Sequence, residues 1–131
     1  MPSPIASSEF PRAFAAQWIA NWNARDIAAV LAHFRDDCVF ESPIAQTVVG
    51  TARLTGKRAL EDYWRAALSR IGSLHLRLDD WSWNPVRRIL TVFYTSRVDG
   101  RTTSCAEQMS FDADGRQRLG RAYYGAVGTG G

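Results

Sequence analysis

Between Asp26 and Pro43 the chain changes its hydrophobic period once, and this change limits what it can fold into. Ile27, Val30, Leu31 and Phe34 recur at the i, i+3, i+4, i+7 spacing of one buried helix face. Asp26 stands where an N-cap belongs, able to accept from the first orphan N–H groups. Asp36-Asp37 interrupts this stripe and predicts a tight turn. Beyond it Cys38, Phe40 and Ser42 alternate with Val39 and Glu41, the period of a strand. A helix must therefore hand over to a strand that ends on Pro43, with Cys38, Phe40 and Ser42 facing whatever the protein encloses.

The flanking segments extend this pattern. Ser7 or Ser8 can cap a first helix with Pro11 in its first turn, and Phe14, Trp18 and Trp22, beside Ala15 and Ile19, form its buried face. Asn23–Arg25 is the corner into the second helix. Ile44–Thr55 lacks a sustained period and contains Gly50, which predicts a loop across a cavity mouth. Gly56–Ile71 carries Leu60, Tyr63, Trp64, Ala67, Leu68 and Ile71 on one helical face, and Gly72 stops it. Four strands follow. Leu74, Leu76 and Leu78 alternate in the first, and Asn84-Pro85 turns into Ile89–Ser96. Asp99-Gly100 and Asp114-Gly115 are hairpin signals around Thr102–Phe111 and into Arg118–Val127.

Helices followed by an antiparallel meander predict an α+β domain, with three N-terminal helices lying in the concavity of a bent sheet. The 131 residues are enough for one core. The expected unit is one domain over 1–131, with a core from about 10 to 126 and loose tails at 1–8 and 128–131.

Composition narrows the function classes. The net charge is +3, with a pI near 9.2, but Lys and Arg are scattered, with no run longer than Arg87-Arg88, which argues against nucleic acid. No stretch approaches the roughly 20 apolar residues of a membrane span. The first residues show neither a basic nor an apolar signal region, so a cytoplasmic protein is expected. Cys38 and Cys105 fit no metal spacing and read as reduced, buried thiols. Phosphate loop, metal cluster and nucleophile elbow are all missing, so no metal or cofactor is expected.

Strand phase singles out one acid. Thr103, Cys105, Glu107, Met109 and Phe111 share a face of Thr102–Phe111, and its apolar character makes it the helix-covered one. Glu107 then sits among apolar neighbours, where a carboxylate is costly unless protonated or paired. It is either a structural Glu bonded to a Tyr, Trp or Arg, or an acid that meets a ligand. Tyr94, in phase with Leu90 and Val92, points the same way. His33 reads as a partly exposed surface histidine near the end of the second helix, its charged form favoured by the helix dipole. His75, Arg77 and Glu41 fall on outward phases.

The segment Trp18–Pro43, the helix TGKRALEDYWRAAL and the closing MSFDADGRQRLGRAYY together resemble the nuclear transport factor two-like superfamily. SnoaL-like and steroid delta-isomerase-like domains are the nearest match within it. The resemblance spans roughly Phe10 to Ala126. It implies a cystatin-like cone of helices on a strongly bent mixed sheet, with a pocket running into its base and Cys38–Pro43 as a short strand at the pocket wall. It also implies roles by position. Glu107, ahead of Gln108-Met109, falls where the isomerases carry the carboxyl that donates to the developing oxyanion. Trp18 falls where they carry a phenolic donor, and an indole N–H cannot exchange a proton as a phenol does. Ser42 falls where they carry the base, and a lone serine is no base near neutral pH. Tyr124 falls on a pocket-wall aromatic.

Three function classes stay open at this point. The first is a binding domain for a small, largely apolar molecule, its pocket formed by Phe14, Trp18, Trp22, Phe34, Phe40, Ser42, Trp64, Leu68, Tyr94, Cys105, Glu107, Met109 and Tyr124. The second is an isomerase, cyclase or dehydratase with Glu107 as acid/base. The third is a protein-interaction domain. A homodimer through the outer sheet face is expected from Trp81 or Trp83 beside Ser104, Ala106 and Gln108, and from the pairing habit that the resemblance implies.

Overall fold

The computed structural model describes residues 4–129. Helix α1 spans Phe10–Asn23, α2 Ile27–Leu31, α3 Pro43–Val49 and α4 Lys57–Ser69. The strands are β1 Phe34–Glu41, β2 Arg53–Thr55, β3 Leu74–Asn84, β4 Ile89–Val98, β5 Arg101–Phe111 and β6 Gln117–Thr129. They form one six-stranded sheet in the order β2-β1-β6-β5-β4-β3. Only β1 and β6 run parallel, and every other neighbouring pair is antiparallel. The architecture is thus α+β, with helices packed on one face of a mixed sheet. Among the described residues no helix is long and apolar enough to cross a membrane.

The switch at Asp26–Pro43 is present, with two corrections. The Asp26 carboxylate accepts from Ala29 N at 3.0 Å and caps α2 as expected. The helix ends earlier than the stripe implies, and Phe34 is the first residue of β1. Pairing wins there: Gln117 N donates to the His33 carbonyl at 2.8 Å, and Phe34 registers with Gln117. Asp36-Asp37 is no turn. It lies inside β1, at a register shift between Phe34 and Val39, where a bulge absorbs the extra residues. Arg35 spans this bulge with two bonds to Asp37, at 2.9 and 3.0 Å.

Ile44–Thr55 is also more ordered than its lack of period implies. Ser42 caps α3 by accepting from Ile44 N at 3.1 Å, and Pro43 fills the first turn. Gly50 ends the helix at φ 84°. Arg53–Thr55 then pairs with β1 as an edge strand. A helix of two turns is too short to show a period.

At the N-terminus Ser7 Oγ accepts from Glu9 N, but Glu9 is the N-cap residue of α1 and makes no side-chain cap. Pro4–Ala6 forms a 3-10 turn with Ile5 buried, so part of the expected loose tail packs. At the other end β6 still pairs at Gly128, opposite Thr102. Residues 130 and 131, also expected to be loose, lie outside the described residues, as do 1–3.

Two apolar clusters fill the interior. One joins α2, β1, α3, β2 and α4 around Phe34, Cys38, Phe40, Leu60 and Trp64. The other joins α1 to β3, β4 and β5 around Phe14, Trp18, Leu90, Val92 and Phe111. Trp22 packs against both. Asn23 ties α1 to the sheet through the Leu76 backbone, accepting from its N–H at 2.7 Å and donating to its carbonyl at 2.9 Å.

The phase of β3 reverses along its length. A bulge between Leu78 and Asp80 turns Trp81 and Trp83 onto the helix-covered face with Leu74, Leu76 and Leu78. Trp83 stacks near Phe10 and Phe111, at centroid distances of 5.4 and 6.1 Å. The tryptophans therefore do not anchor the outer face. Phe93 and Tyr123 are the exposed aromatics there, 41% and 54% accessible, on either side of Ala106.

Candidate functional site

Cross-strand register builds the floor of the site. On the helix-covered face Leu90, Met109 and Gly120 form one row, Val92, Glu107 and Ala122 the next, and Tyr94, Cys105 and Tyr124 a third. Leu90, Val92 and Met109 of the first two rows show no exposed surface. Glu107 of the second row and Tyr94 and Tyr124 of the third face a cavity of about 390 Å³. Aromatic rings wall it in a connected series. Tyr94 meets Trp18 at 5.1 Å, Trp18 meets Trp22 at 6.5 Å, Trp22 meets Trp64 at 5.1 Å and Trp64 meets Phe40 at 5.5 Å, all edge to face. Leu68, Ala67 and Ile71 of the α4 side and Ile44, Thr47 and Val48 of α3 close the remaining walls.

The residues expected at the pocket fall into two groups in the structure. Trp18, Trp22, Phe40, Trp64, Leu68, Tyr94, Glu107 and Tyr124 line the cavity. Ser42 is 2% exposed, just behind the lining. Phe34, Cys105, Met109 and Phe14 do not line it, because each is consumed by core packing. Phe34 packs on Trp64, and Phe14 packs on Phe111 and His33. Cys105 is turned back, its thiol donating to the Thr103 carbonyl at 3.5 Å. His33 is partly exposed, as expected, but it packs against Phe14 and burial lowers its pKa, so its charged form is not favoured.

Tyr63 was missed, although its place on the buried stripe of α4 was legible. Its hydroxyl lies 3.4 Å from Ser42 Oγ and the residue lines the cavity. Arg70 was missed too. It follows the last turn of α4 and lines the cavity although it is exposed. No stripe could mark it, because it is polar and sits on the C-cap.

Glu107 is the electrostatic centre. It is 5% exposed, and among the described residues it has no hydrogen-bond or ion-pair partner. Burial alone pushes its pKa from 4.5 up to about 8, because removing water penalises the carboxylate. Three phenols lie near enough to feel its charge, Tyr63 and Tyr94 buried and Tyr124 39% exposed. Burial raises the pKa of Tyr63, Tyr94 and Tyr124, and proximity to Glu107 raises each further. Ser42 opposes this at Tyr63 and Tyr124 by stabilising their ionised forms. At neutral pH the cavity thus presents a protonated acid and three neutral phenols, all of them donors and none an anion. Glu41, by contrast, holds its charge on the outer side, where Arg121 and Arg53 keep its pKa down. Among the described residues no three His, Cys, Asp or Glu side chains converge as a metal site would need.

Helices folded over one face of a bent mixed sheet around an apolar cavity define the nuclear transport factor two-like fold. The SnoaL-like domain model matches residues 15–119. The chain belongs to the SnoaL-like family. A SnoaL-like protein of unknown function from Burkholderia thailandensis E264 is 30% identical over 92% of this chain and 98% of its own, with a TM-score of 0.81. The epoxide hydrolase/cyclase-like enzyme SalBIII, of pyran ring formation in salinomycin, shares the fold at 13% identity, covering 94% and 98% of the two chains, with a TM-score of 0.75. TerC, co-crystallised with polyporic acid, does so at 16% identity over 88% and 92%, with a TM-score of 0.73. No curated protein sequence matches this chain.

Proposed function

We propose that this protein binds a small, largely apolar molecule in the cavity, and that protonated Glu107 donates a hydrogen bond to a carbonyl or hydroxyl oxygen of that molecule. One observation carries the reading. A buried carboxyl without a protein partner costs stability that a purely structural side chain would recover by finding one. Native mass spectrometry of the purified protein tests it. A co-purifying small molecule should stay bound in Glu107→Gln, which keeps a donor, and be lost in Glu107→Leu. Retention in both variants would leave Glu107 a purely structural residue.

Catalysis is the second reading, favoured by a specific feature. A carboxyl that titrates near 8 can give and take a proton close to neutral pH. Glu107 would then move a proton at carbon next to a ligand carbonyl, while a phenol of Tyr63, Tyr94 or Tyr124 donates to the oxygen as it gains charge. Ser42 takes no proton in this scheme, because a lone serine hydroxyl is no base near neutral pH. Turnover of the co-purifying molecule, lost in both Glu107→Gln and Glu107→Leu, would decide for this reading over simple binding.

A further inference from the structure

We propose that the cavity takes an elongated, mostly apolar molecule with a carboxylate at its outer end, and that Arg70 selects for that charge. The inference rests on the cavity being a ligand site and says which ligands fit it.

Register gives the cavity a direction. Glu107 pairs with Val92, and along β4 the inward residues continue as Tyr94, Ser96 and Val98. Exposure rises in that order, from fully buried Val92 to half-buried Ser96 and Val98. Ser96 lies four residues beyond Val92, roughly 13 Å at the rise of a strand. Ile71 and the next two residues lead from α4 into Leu74, and Leu74 pairs with Val98. Arg70 therefore stands at the mouth, several rows from Glu107.

Glu107 and Arg70 are the acid and the base of the lining, at opposite ends. A ligand anion beside Glu107 would be buried with no cation, and would be repelled whenever Glu107 ionised. At the mouth it meets a guanidinium. Arg70 makes one long hydrogen bond, from Nη2 to the Val48 carbonyl at 3.4 Å. Among the described residues it has no carboxylate partner. Arg65, one turn earlier on α4, is instead held by Glu61 at 2.6 Å. Thr47 and Ser96 hydroxyls line the same cavity and add donors for a carboxylate.

A cation at a helix C-terminus also complements the macrodipole, which accounts for an arginine on this turn but not for its place in the cavity lining. That same helix end repels an anion. Arg70 must outweigh it, so its removal leaves a mouth that is hostile to a carboxylate and indifferent to a neutral molecule.

The test uses N-phenyl-1-naphthylamine as a neutral fluorescent reporter, displaced by decanoate or by decan-1-ol. Arg70→Gln should weaken displacement by decanoate roughly three- to tenfold. Displacement by decan-1-ol should be unchanged, which also shows that the variant is folded. Arg65→Gln should alter neither. Equal effects of Arg70→Gln on both competitors, or none on decanoate, would overturn the inference while leaving the cavity a binding site. If the reporter does not bind the wild type, or binds undiminished when Ala67→Trp fills the cavity, the binding reading fails, and this inference with it.

Discussion

Replacing Glu107 by Gln should change how the stability of the protein depends on pH, by an amount the site itself sets. In the folded protein the Glu107 carboxyl titrates at about 8, against an ordinary value of 4.5. Below pH 4.5 the acid is protonated in both folded and unfolded chains and contributes no difference. Between the two values the unfolded chain ionises and the folded one does not, so stability falls as pH rises. The slope is about 1.4 kcal/mol per pH unit, or about 4 kcal/mol between pH 5 and pH 8. Above about 8 the loss is complete. Gln carries the same bulk without the proton, so the stability difference, variant minus wild type, should climb through that window and then level off. A constant offset from placing an amide in this site does not affect the slope. His33 and the surface carboxylates titrate alike in both proteins and cancel, and the three cavity phenols ionise above the window. Urea unfolding of both proteins at pH 5, 6, 7, 8 and 9 measures the difference directly. A difference that stays level across this range would refute the claim that Glu107 is buried without a partner. A cation that holds Glu107 ionised would give this level result, because the carboxyl would then titrate below its ordinary value and outside this range.

Four further outcomes follow from the packing and the site. A Cβ at Gly120 would stand 2.9 Å from Phe40 Cδ1 and 3.1 Å from Gln117 Nε2, so Gly120→Ala should cost about 1–3 kcal/mol in urea unfolding. An unchanged midpoint would show that the Phe40 ring moves freely. Ser42→Ala removes the α3 cap and a partner of Tyr63, and a loss of about 1 kcal/mol is expected in thermal unfolding. Because Ser42 stands where the isomerases carry their base, 3-oxo-Δ5-steroid isomerisation by the wild type should be negligible, and robust turnover would mean that another residue serves as the base. We also propose a homodimer through the outer sheet face, now anchored by Phe93 and Tyr123 around Ala106, and expect Tyr123→Glu to yield monomers in sedimentation velocity. A wild-type monomer at micromolar concentration would end that proposal.

Much of the frame was legible because it depends on local periods. The α4 stripe, the Asp99-Gly100 and Asp114-Gly115 hairpins and the inward phase of Cys105, Glu107 and Met109 are all written at short range, and each is found in the structure. Glu107 could be singled out because alternation alone decides which face of β5 a residue takes, and one acid stands in an apolar row. What alternation cannot foresee is a residue inserted into it. The bulge at Leu78/Asp80 turned Trp81 and Trp83 inward, and the one within Phe34–Val39 made a strand of an apparent turn. Bulges arise from pairing with a partner strand that lies far off in the sequence. The same holds for the cavity. Its outline depends on which inward residues are spent on core packing, as Phe34 and Met109 are, and which are left facing space, as Tyr63 and Arg70 are. That is settled only when α3 and α4 close over the sheet, because packing is a property of neighbours in space, and these neighbours come from opposite ends of the chain.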